Sequence, residues 1–490
     1  MDVVLVVFYS ASLLFIFLYS LIQLNLTLWY LKGRARVDDL GDGWGELDVL
    51  PFVTIQLPIY NERYVVERLI DAVASFDYPR DRFEIQVLDD STDETVPIIV
   101  DAVASWRERG VDMARLARPE RKGFKAGALQ YGMQTAKGEF IAIFDADFVP
   151  QRDFLRQTLP WFRDDVGVVQ TRWEHINQNY SILTRLQAFA LDAHFSIEQG
   201  GRNVAGHFIN FNGTAGIWRK KTIEDAGGWQ ADTLTEDLDL SYRAQLKGWK
   251  FVFREEIASP AELPVAMSAI KSQQYRWTKG AAETAMKNLG RVFRSPLSLR
   301  TKIHAIFHLM NSALFICIFF LGILSVPMLY LHHLDGRFDA LFAVTKFGLI
   351  STVIVAFFFF VSRSRARRAK EESIGRFILL FPFFLSIFLG LALHNGIAVI
   401  EGYLGYKTPF VRTPKFNLRT SKDSWEKNAY VLQGITAVTA MEGLLVVYYL
   451  GGLTMCISRG DILSVPFMTM LVLGYAMIFF YTIGHARLTA

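Results

Sequence analysis

Cysteine is nearly absent: Cys317 and Cys456 are the 2 cysteines in 490 residues. Both lie in or beside apolar stretches, with neither metal-ligand nor redox spacing, so no disulfide framework is implied. Proline is scarce at 15 residues, which fits neither a collagen-like nor a low-complexity chain. One-sided charge is lacking too: 52 basic against 48 acidic residues leave +4, too little and too scattered to indicate a nucleic-acid partner. No Gly-x-Gly-x-x-Gly and no P-loop follows the first strand-like run, so neither a dinucleotide nor a glycine-cradled phosphate is indicated. What abounds is apolar surface, with 51% hydrophobic residues and 40 Phe. A chain this long and this apolar calls for two or more units, at least one of them in lipid.

The run Val3 to Tyr30 is long enough to cross a bilayer and is followed by Lys32, Arg34 and Arg36, so it reads as an uncleaved anchor with its N-terminus outside. Between Val53 and about Leu299 no spanning run occurs, and that stretch is expected in the cytosol. Further apolar runs follow at Ile303 to Leu331, Leu341 to Val361, Ile374 to Ile400, Ala429 to Leu453 and Ile462 to Ile483. Arg363, Arg365, Arg367, Arg368 and Lys370 precede the Ile374 run, and Lys407, Arg412, Lys415, Arg419, Lys422 and Lys427 follow it. Basic loops on both sides place both ends of Ile374 to Ile400 in the cytosol. With Pro382, Gly390, His394 and Asn395 inside it, that segment is expected to be re-entrant or to lie at the interface. The expectation is five crossings and one non-crossing segment.

In the soluble stretch, β-rich runs at Phe52 to Leu57, Phe83 to Leu88 and Phe140 to Phe144 alternate with helical patterns at Glu62 to Phe76 and Val96 to Arg107. That alternation predicts a parallel α/β sheet covered on both faces, with ligands beyond the carboxyl ends of its strands. Polar residues stand at those ends: Tyr60 to Glu62, Asp89 to Ser91, and Asp145-Ala-Asp147.

Asp145 and Asp147, one residue apart on an extended chain, project to the same side and can hold Mg²⁺ or Mn²⁺ against a diphosphate. Taken alone, the pair reads equally as solvent-facing turn residues. Thr235-Glu236-Asp237 opens a helical pattern; Asp237 there is either a cap or a general base that takes a proton from an attacking hydroxyl. Gln273-x-x-Arg276-Trp277 lies in an amphipathic stretch. Arg276 can stabilise a leaving diphosphate and Trp277 can stack on a sugar, or the stretch is an interface helix with a snorkelling arginine.

Together, Asp90, Asp145-x-Asp147, Thr235-Glu236-Asp237 and Gln273-x-x-Arg276-Trp277, followed by spans, resemble the processive family-2 glycosyltransferases of GT-A fold. The likeness is nearest to the cellulose-synthase-like mannan and glucan synthases. The resemblance implies an α/β GT-A (Rossmann-like mixed sheet) domain at 50–265 and interface helices at 266–300. Around them it implies an N-terminal transmembrane helix at 1–31 and a transmembrane region at 301–490 with a gating-like loop at 405–428. It further implies nucleotide contacts from Tyr60, Glu62, Asp90, Lys125, Asp145, Gln273, Arg276 and Thr413, and a metal, Mg²⁺ or Mn²⁺, on Asp145 and Asp147. Asp237, with Glu236 beside it, would be catalytic. Trp277 and the loop Phe211, Asn212, Gly213 and Thr214 would border the acceptor. Phe410-Val411-Arg412-Thr413 resembles the gating loop of cellulose synthase, with Arg412 in place of a valine. The function implied is inverting, metal-dependent, processive transfer of hexosyl units from UDP-glucose or, second, GDP-mannose to a growing β-glycan, coupled to translocation across a plasma membrane of the bacterial inner-membrane kind. Non-processive transfer to a membrane lipid, as in ceramide glucosyltransferases, is the alternative enzyme reading, and a nucleotide-binding transporter the alternative class.

Overall fold

The computed structural model describes residues 2–37, 49–334, 345–365, 374–418, 420, 423–426, 428, 430 and 435–488. Its soluble part is built on a 7-stranded sheet of β1 (Val53–Ile59), β2 (Phe83–Asp89), β3 (Met113–Ala117), β4 (Phe140–Ile143), β5 (Val166–His175), β6 (Gly216–Arg219) and β7 (Lys250–Ala261), ordered β3-β2-β1-β4-β6-β5-β7. β1 pairs in parallel with β2 and β4; β6 runs antiparallel to both β4 and β5, and β7 is parallel to β5. The sheet is therefore mixed, the Rossmann-like arrangement of a GT-A fold.

β1 and β2 are buried on both faces, so their polar side chains pair with each other. Thr54 donates to Glu84 at 2.7 Å and Gln56 to Gln86 at 3.0 Å, which lowers the penalty of burying these polar groups. The helices Val66–Ala74 and Thr95–Glu108 pack one face of the sheet, and Phe124–Met133 with Glu236–Leu246 pack the other. The first helix begins at Val66 rather than at Glu62, because Glu62 serves the turn through its carbonyl, which accepts from the Val65 and Val66 N–H groups.

Among the described residues four helices are long and apolar enough to cross a membrane: Val3–Gly33, Ala313–Leu331, Ala437–Arg459 and Val465–Leu488. By length and composition they mark a membrane protein. One expectation needs correction. The run from Ile303 is not one span: Leu299–Leu309 is a separate amphipathic helix, a turn follows at Met310 to Ser312, and the crossing helix starts at Ala313. His308 and the carbonyl of Ala305 turn that short helix towards the soluble domain by bonding the Tyr242 hydroxyl. The segment at Ile374 is a helix pair, Ile374–Gly390 and Ala392–Tyr403, bent by 47° after Gly390, while Pro382 sits inside the first helix. The apolar part of the helix Thr345–Arg365 is shorter, Gly348–Ser364. Arg367, Arg368, Lys370, Arg419, Lys422 and Lys427 of the expected basic loops lie outside the described residues.

Close backbone approach fixes the bend. A Cβ on Gly390 would overlap the Gly474 carbonyl, and one on Gly474 would overlap the Ser386 carbonyl, the small-residue packing that brings membrane helices together. Gly474→Ala is expected to lower the thermal midpoint in detergent by an amount corresponding to about 1–3 kcal/mol of overpacking. Gly484→Ala, whose Cβ would meet nothing within 4 Å, is the control; equal midpoints for the two variants would contradict this packing.

Candidate active site

The ends of β1, β2, β4, β5 and β7 open into one cavity of about 210 Å³. Its lining includes Tyr60, Glu62, Asp90, Lys125, Asp145, Asp147, Asn212, Gly213, Glu236, Asp237, Gln273, Arg276, Trp277 and Thr413. Phe211 and Thr214, expected at the acceptor, are not on that lining. Phe211 is wholly buried against Trp218 at 5.5 Å, where its ring fills the core. Thr214 is also fully buried, and its hydroxyl accepts the Asp145 N–H at 2.9 Å. Both residues hold the loop and the Asp145 turn from behind.

Each acid of the Asp-x-Asp turn faces a lysine. Lys125 Nζ lies 2.5 Å from Asp145 Oδ1 and 2.8 Å from the Gly213 carbonyl. Lys415 Nζ lies 2.6 Å from Asp147 Oδ2 and 2.6 Å from the Glu262 carbonyl. The Glu262 carboxylate in turn accepts the N–H groups of Phe416 and Asn417 at 2.8 and 2.9 Å. Arg412 pairs with Glu62 at 3.0 Å, and Arg276 donates to the Thr413 hydroxyl at 2.6 Å. The segment 410–417 is thereby drawn across the mouth of the sheet. Its Phe410 ring lies between the Arg276 guanidinium at 4.6 Å and the ring of Phe124 at 5.6 Å. At the other side Arg118 grips Asp90 with two nitrogens, Nε at 2.9 Å, and Arg121 lies 3.4 Å over the Tyr60 ring.

Asp237 stands in the first turn of Glu236–Leu246, its Oδ1 accepting the Leu238 N–H at 2.8 Å. That helix is pinned to the helix Met267–Arg294, which carries Arg276 and Trp277. Buried Asp239 accepts from Lys287 at 3.0 Å and Asn288 at 2.9 Å, and Gly280 lets the two elements touch where a Cβ would press on the Thr235 backbone. Tyr275 points the other way and, with Lys279, bonds Glu401 of the bent membrane pair. Burial, then the Glu236 charge, push the Asp237 carboxyl up to about 7. Burial raises Glu236 as well, and raises Glu62 to about 8. Burial lowers Arg276 to about 10, leaving it a cation at neutral pH.

Among the described residues no group of three or more His, Cys, Asp or Glu is placed to hold a metal. Asp145 and Asp147 can still supply two oxygen ligands, which fits a hard ion completed by phosphate oxygens and water. Sequence reading missed Arg121, Glu262, Trp173 and His175, all on the lining. Glu262 directly follows β7 and His175 ends β5, so a strand assignment there carries the same signal that exposed Asp90 and Asp145.

A mixed sheet in this order, with an Asp-x-Asp turn at one strand end and a carboxylate at a facing helix start, defines a GT-A glycosyltransferase domain. Residues 51–280 match the family described as glycosyltransferase like family 2. It is similar to glucomannan 4-beta-mannosyltransferase 1 of Oryza sativa subsp. japonica, 42% identical over 284 residues that cover 56% of this chain and 54% of the relative. It is also similar to probable glucomannan 4-beta-mannosyltransferase 11 of the same plant, 43% identical over 261 residues, 52% of this chain and 46% of that one. The chain thus spans about half the length of the curated relatives it matches. Among solved structures, the mannosyltransferase PcManGT from Pyrobaculum calidifontis in complex with GDP-Man and Mn2+ is matched at 19% identity and a TM-score of 0.44, over 72% of this chain and 100% of that one. At that score the likeness carries no further argument.

Gly213 has φ +78°, and a Cβ there would lie 3.1 Å from Asp237 Oδ2. Gly213→Ala is expected to cut sugar transfer at least tenfold, about 1–2 kcal/mol of backbone strain being added to the crowding. Measured turnover equal to wild type would show that the loop does not set the position of Asp237.

Proposed function

We propose that the chain transfers hexosyl units, with inversion, from a sugar nucleotide to the non-reducing end of a growing β-glycan, and does so repeatedly. The observation that carries this reading is the meeting of Asp145, Asp147, Asp237, Arg276 and Trp277 with Lys415 in one cavity, although Lys415 and Asp147 are 268 residues apart. Asp237 takes the proton from the acceptor hydroxyl as its oxygen attacks the anomeric carbon and the bond to the diphosphate breaks. The charge left on the diphosphate meets Arg276, Arg412 and Lys415, with charge-assisted donors already clustered there. Trp277 offers a stacking face to a sugar ring. A divalent cation on Asp145 and Asp147 would neutralise part of the diphosphate charge.

The names of the relatives, at 40–43% identity, favour mannosyl transfer onto a 4-hydroxyl. They move the preferred donor from UDP-glucose to GDP-mannose, with UDP-glucose second. Passage of the product among the membrane helices, and a cytosolic position for the sheet domain, belong to the same proposal.

Purified protein incubated with GDP-mannose or UDP-glucose and Mg²⁺ or Mn²⁺ tests the whole reading. A polymer cut by a matching endoglycanase supports it, whereas a glycolipid or no transfer at all overturns it. Asp237→Asn is expected to reduce transfer by about 10²–10⁴-fold, the worth of a general base, with nucleotide affinity nearly intact. Because the base works deprotonated and its carboxyl is pushed up to about 7, kcat/KM is expected to rise with pH, reach half its plateau near 7 and level off about one pH unit higher; a profile falling across that range would argue against Asp237. Asp147→Ala should weaken nucleotide binding only when the metal is present, which titrations with and without Mn²⁺ will check.

A further inference from the structure

The turn Asn212-Gly213 borders Asp237 on the cavity wall, and the Gly213 carbonyl bonds Lys125. Its support comes from one helical stretch behind it. The helix Ile182–Ala193 continues through a π-helical turn, His194–Gln199, into Gly200–Ala205; such turns are rare and concentrate at functional sites. From this turn His194 Nε2 lies 3.0 Å from Asn212 Oδ1, and Nδ1 lies 2.7 Å from Glu198 Oε2. The amide of Asn210 donates to the same Asn212 oxygen at 2.9 Å and to the Phe211 carbonyl at 3.3 Å, so the orientation of both amides is fixed by their partners. Gln199 donates to the Asn210 carbonyl at 2.7 Å. Beyond the loop, the Phe211 N–H donates to the Ser241 hydroxyl at 2.9 Å, and that hydroxyl donates to the Asp237 carbonyl at 2.6 Å.

The other side of the same stretch is docked on the first membrane helix, Val3–Gly33. Buried Gln23 donates to Glu198 Oε1 at 2.6 Å and to the Tyr19 hydroxyl at 2.9 Å. Burial opposes ionisation of Glu198, but the hydrogen bond from His194 and the charge of Arg202 hold its carboxyl well below the usual range, so Gln23 and His194 meet a carboxylate. The backbones also touch. A Cβ on Gly201 would lie 2.5 Å from the Leu26 carbonyl, and one on Gly200 would lie 3.1 Å from the Tyr30 ring. The Tyr30 hydroxyl donates to the Glu255 carboxylate on β7 at 3.0 Å. An anchor needs only apolar length, whereas a polar side chain buried in a span costs free energy and marks a function. Gln23 is such a side chain, and its bond leads in two steps to the cavity wall.

We infer that the first membrane helix is a positioning element of the site as well as an anchor: Gln23 holds Glu198, Glu198 holds His194, and His194 sets the Asn212-Gly213 turn against Asp237. The inference rests on the transferase reading and deepens it by naming Gln23, His194 and Glu198 as positioning residues. The test uses the full chain in lipid nanodiscs, with transfer from GDP-mannose and UDP-glucose and hydrogen exchange of the backbone amides of residues 210–214 as two separate readouts. His194→Leu should lower kcat about tenfold, a modest misplacement of reacting groups, with the donor KM and the nucleoside diphosphate Kd at their wild-type values. His194→Gln, whose amide nitrogen reaches the place of Nε2, should recover most of that loss. Gln23→Leu should lower kcat about five-fold, the worth of one hydrogen bond, and both leucine variants should speed exchange in 210–214. The double variant Gln23→Leu with His194→Leu should be no slower than His194→Leu alone, because the two act through one chain of contacts. Thr27→Val, on the same helix, removes only a bond to the Gln23 carbonyl and should match wild type in both readouts. Unchanged kcat or unchanged exchange in both single leucine variants overturns the inference. So do additive losses in the double variant, an equal loss in Thr27→Val, or a parallel loss of nucleotide affinity. Wild type that moves no sugar from either nucleotide would sink the transferase reading alone, since the exchange comparison still decides whether Gln23 and His194 hold the turn.

Discussion

Crowding carboxylates into a half-closed cleft is electrostatically uphill, and this cavity exists because distant parts of the chain bring cations to meet them. Asp145, Asp147, Glu62 and Asp90 each face a basic group, respectively Lys125, Lys415, Arg412 and Arg118. Where such a pair is buried, as Asp147–Lys415 and Asp90–Arg118 are, removing one partner leaves an uncompensated charge, which costs far more than the pair contributes. The arrangement is therefore cooperative. Two of the four cations, Arg412 and Lys415, come from the stretch that follows the bent membrane pair, so the soluble domain cannot assemble its full charge pattern alone.

The same dependence ties the site to the membrane region mechanically. The helix Met267–Arg294 presents Arg276 and Trp277 to the cavity, while Tyr275 and Lys279 on another side of it bond Glu401, and buried Lys271 pairs with Glu442 at 2.7 Å. One helix thus reads both environments. A shift of the bent pair moves Arg276 and the neighbouring loop, since Arg276 is joined to Thr413 and packed on Phe410. This gives a physical route by which a movement of the membrane helices can be felt in the cavity.

Much of this was legible in the residues themselves. Continuous apolar strands such as β1 and β4 end in carboxylates, and those ends meet where a parallel sheet puts its ligands. Long apolar runs followed by basic residues mark spans without any tertiary information. Less legible were β5, β6 and β7. β6 has only four residues and runs against its neighbours, and β5 mixes buried apolar residues with Gln170, Thr171 and Arg172. Without those strands Trp173, His175 and Glu262 carried no signal. The break between Leu299–Leu309 and Ala313 was hidden for a related reason, because an amphipathic interface helix and a span share an apolar composition.

Local composition and spacing, then, determined which segments are apolar enough to enter lipid, which strands carry acids at their ends, and which side chains are candidates for the chemistry. Both follow from short-range physics, the transfer of apolar runs and the alternation of side chains along a strand. Tertiary structure decided which acids share a cavity, that Phe211 and Thr214 support the loop from behind, and that Lys415 reaches Asp147. Those outcomes depend on packing between residues hundreds of positions apart, where a glycine at a helix crossing or one buried ion pair selects the geometry, and no local pattern encodes that choice.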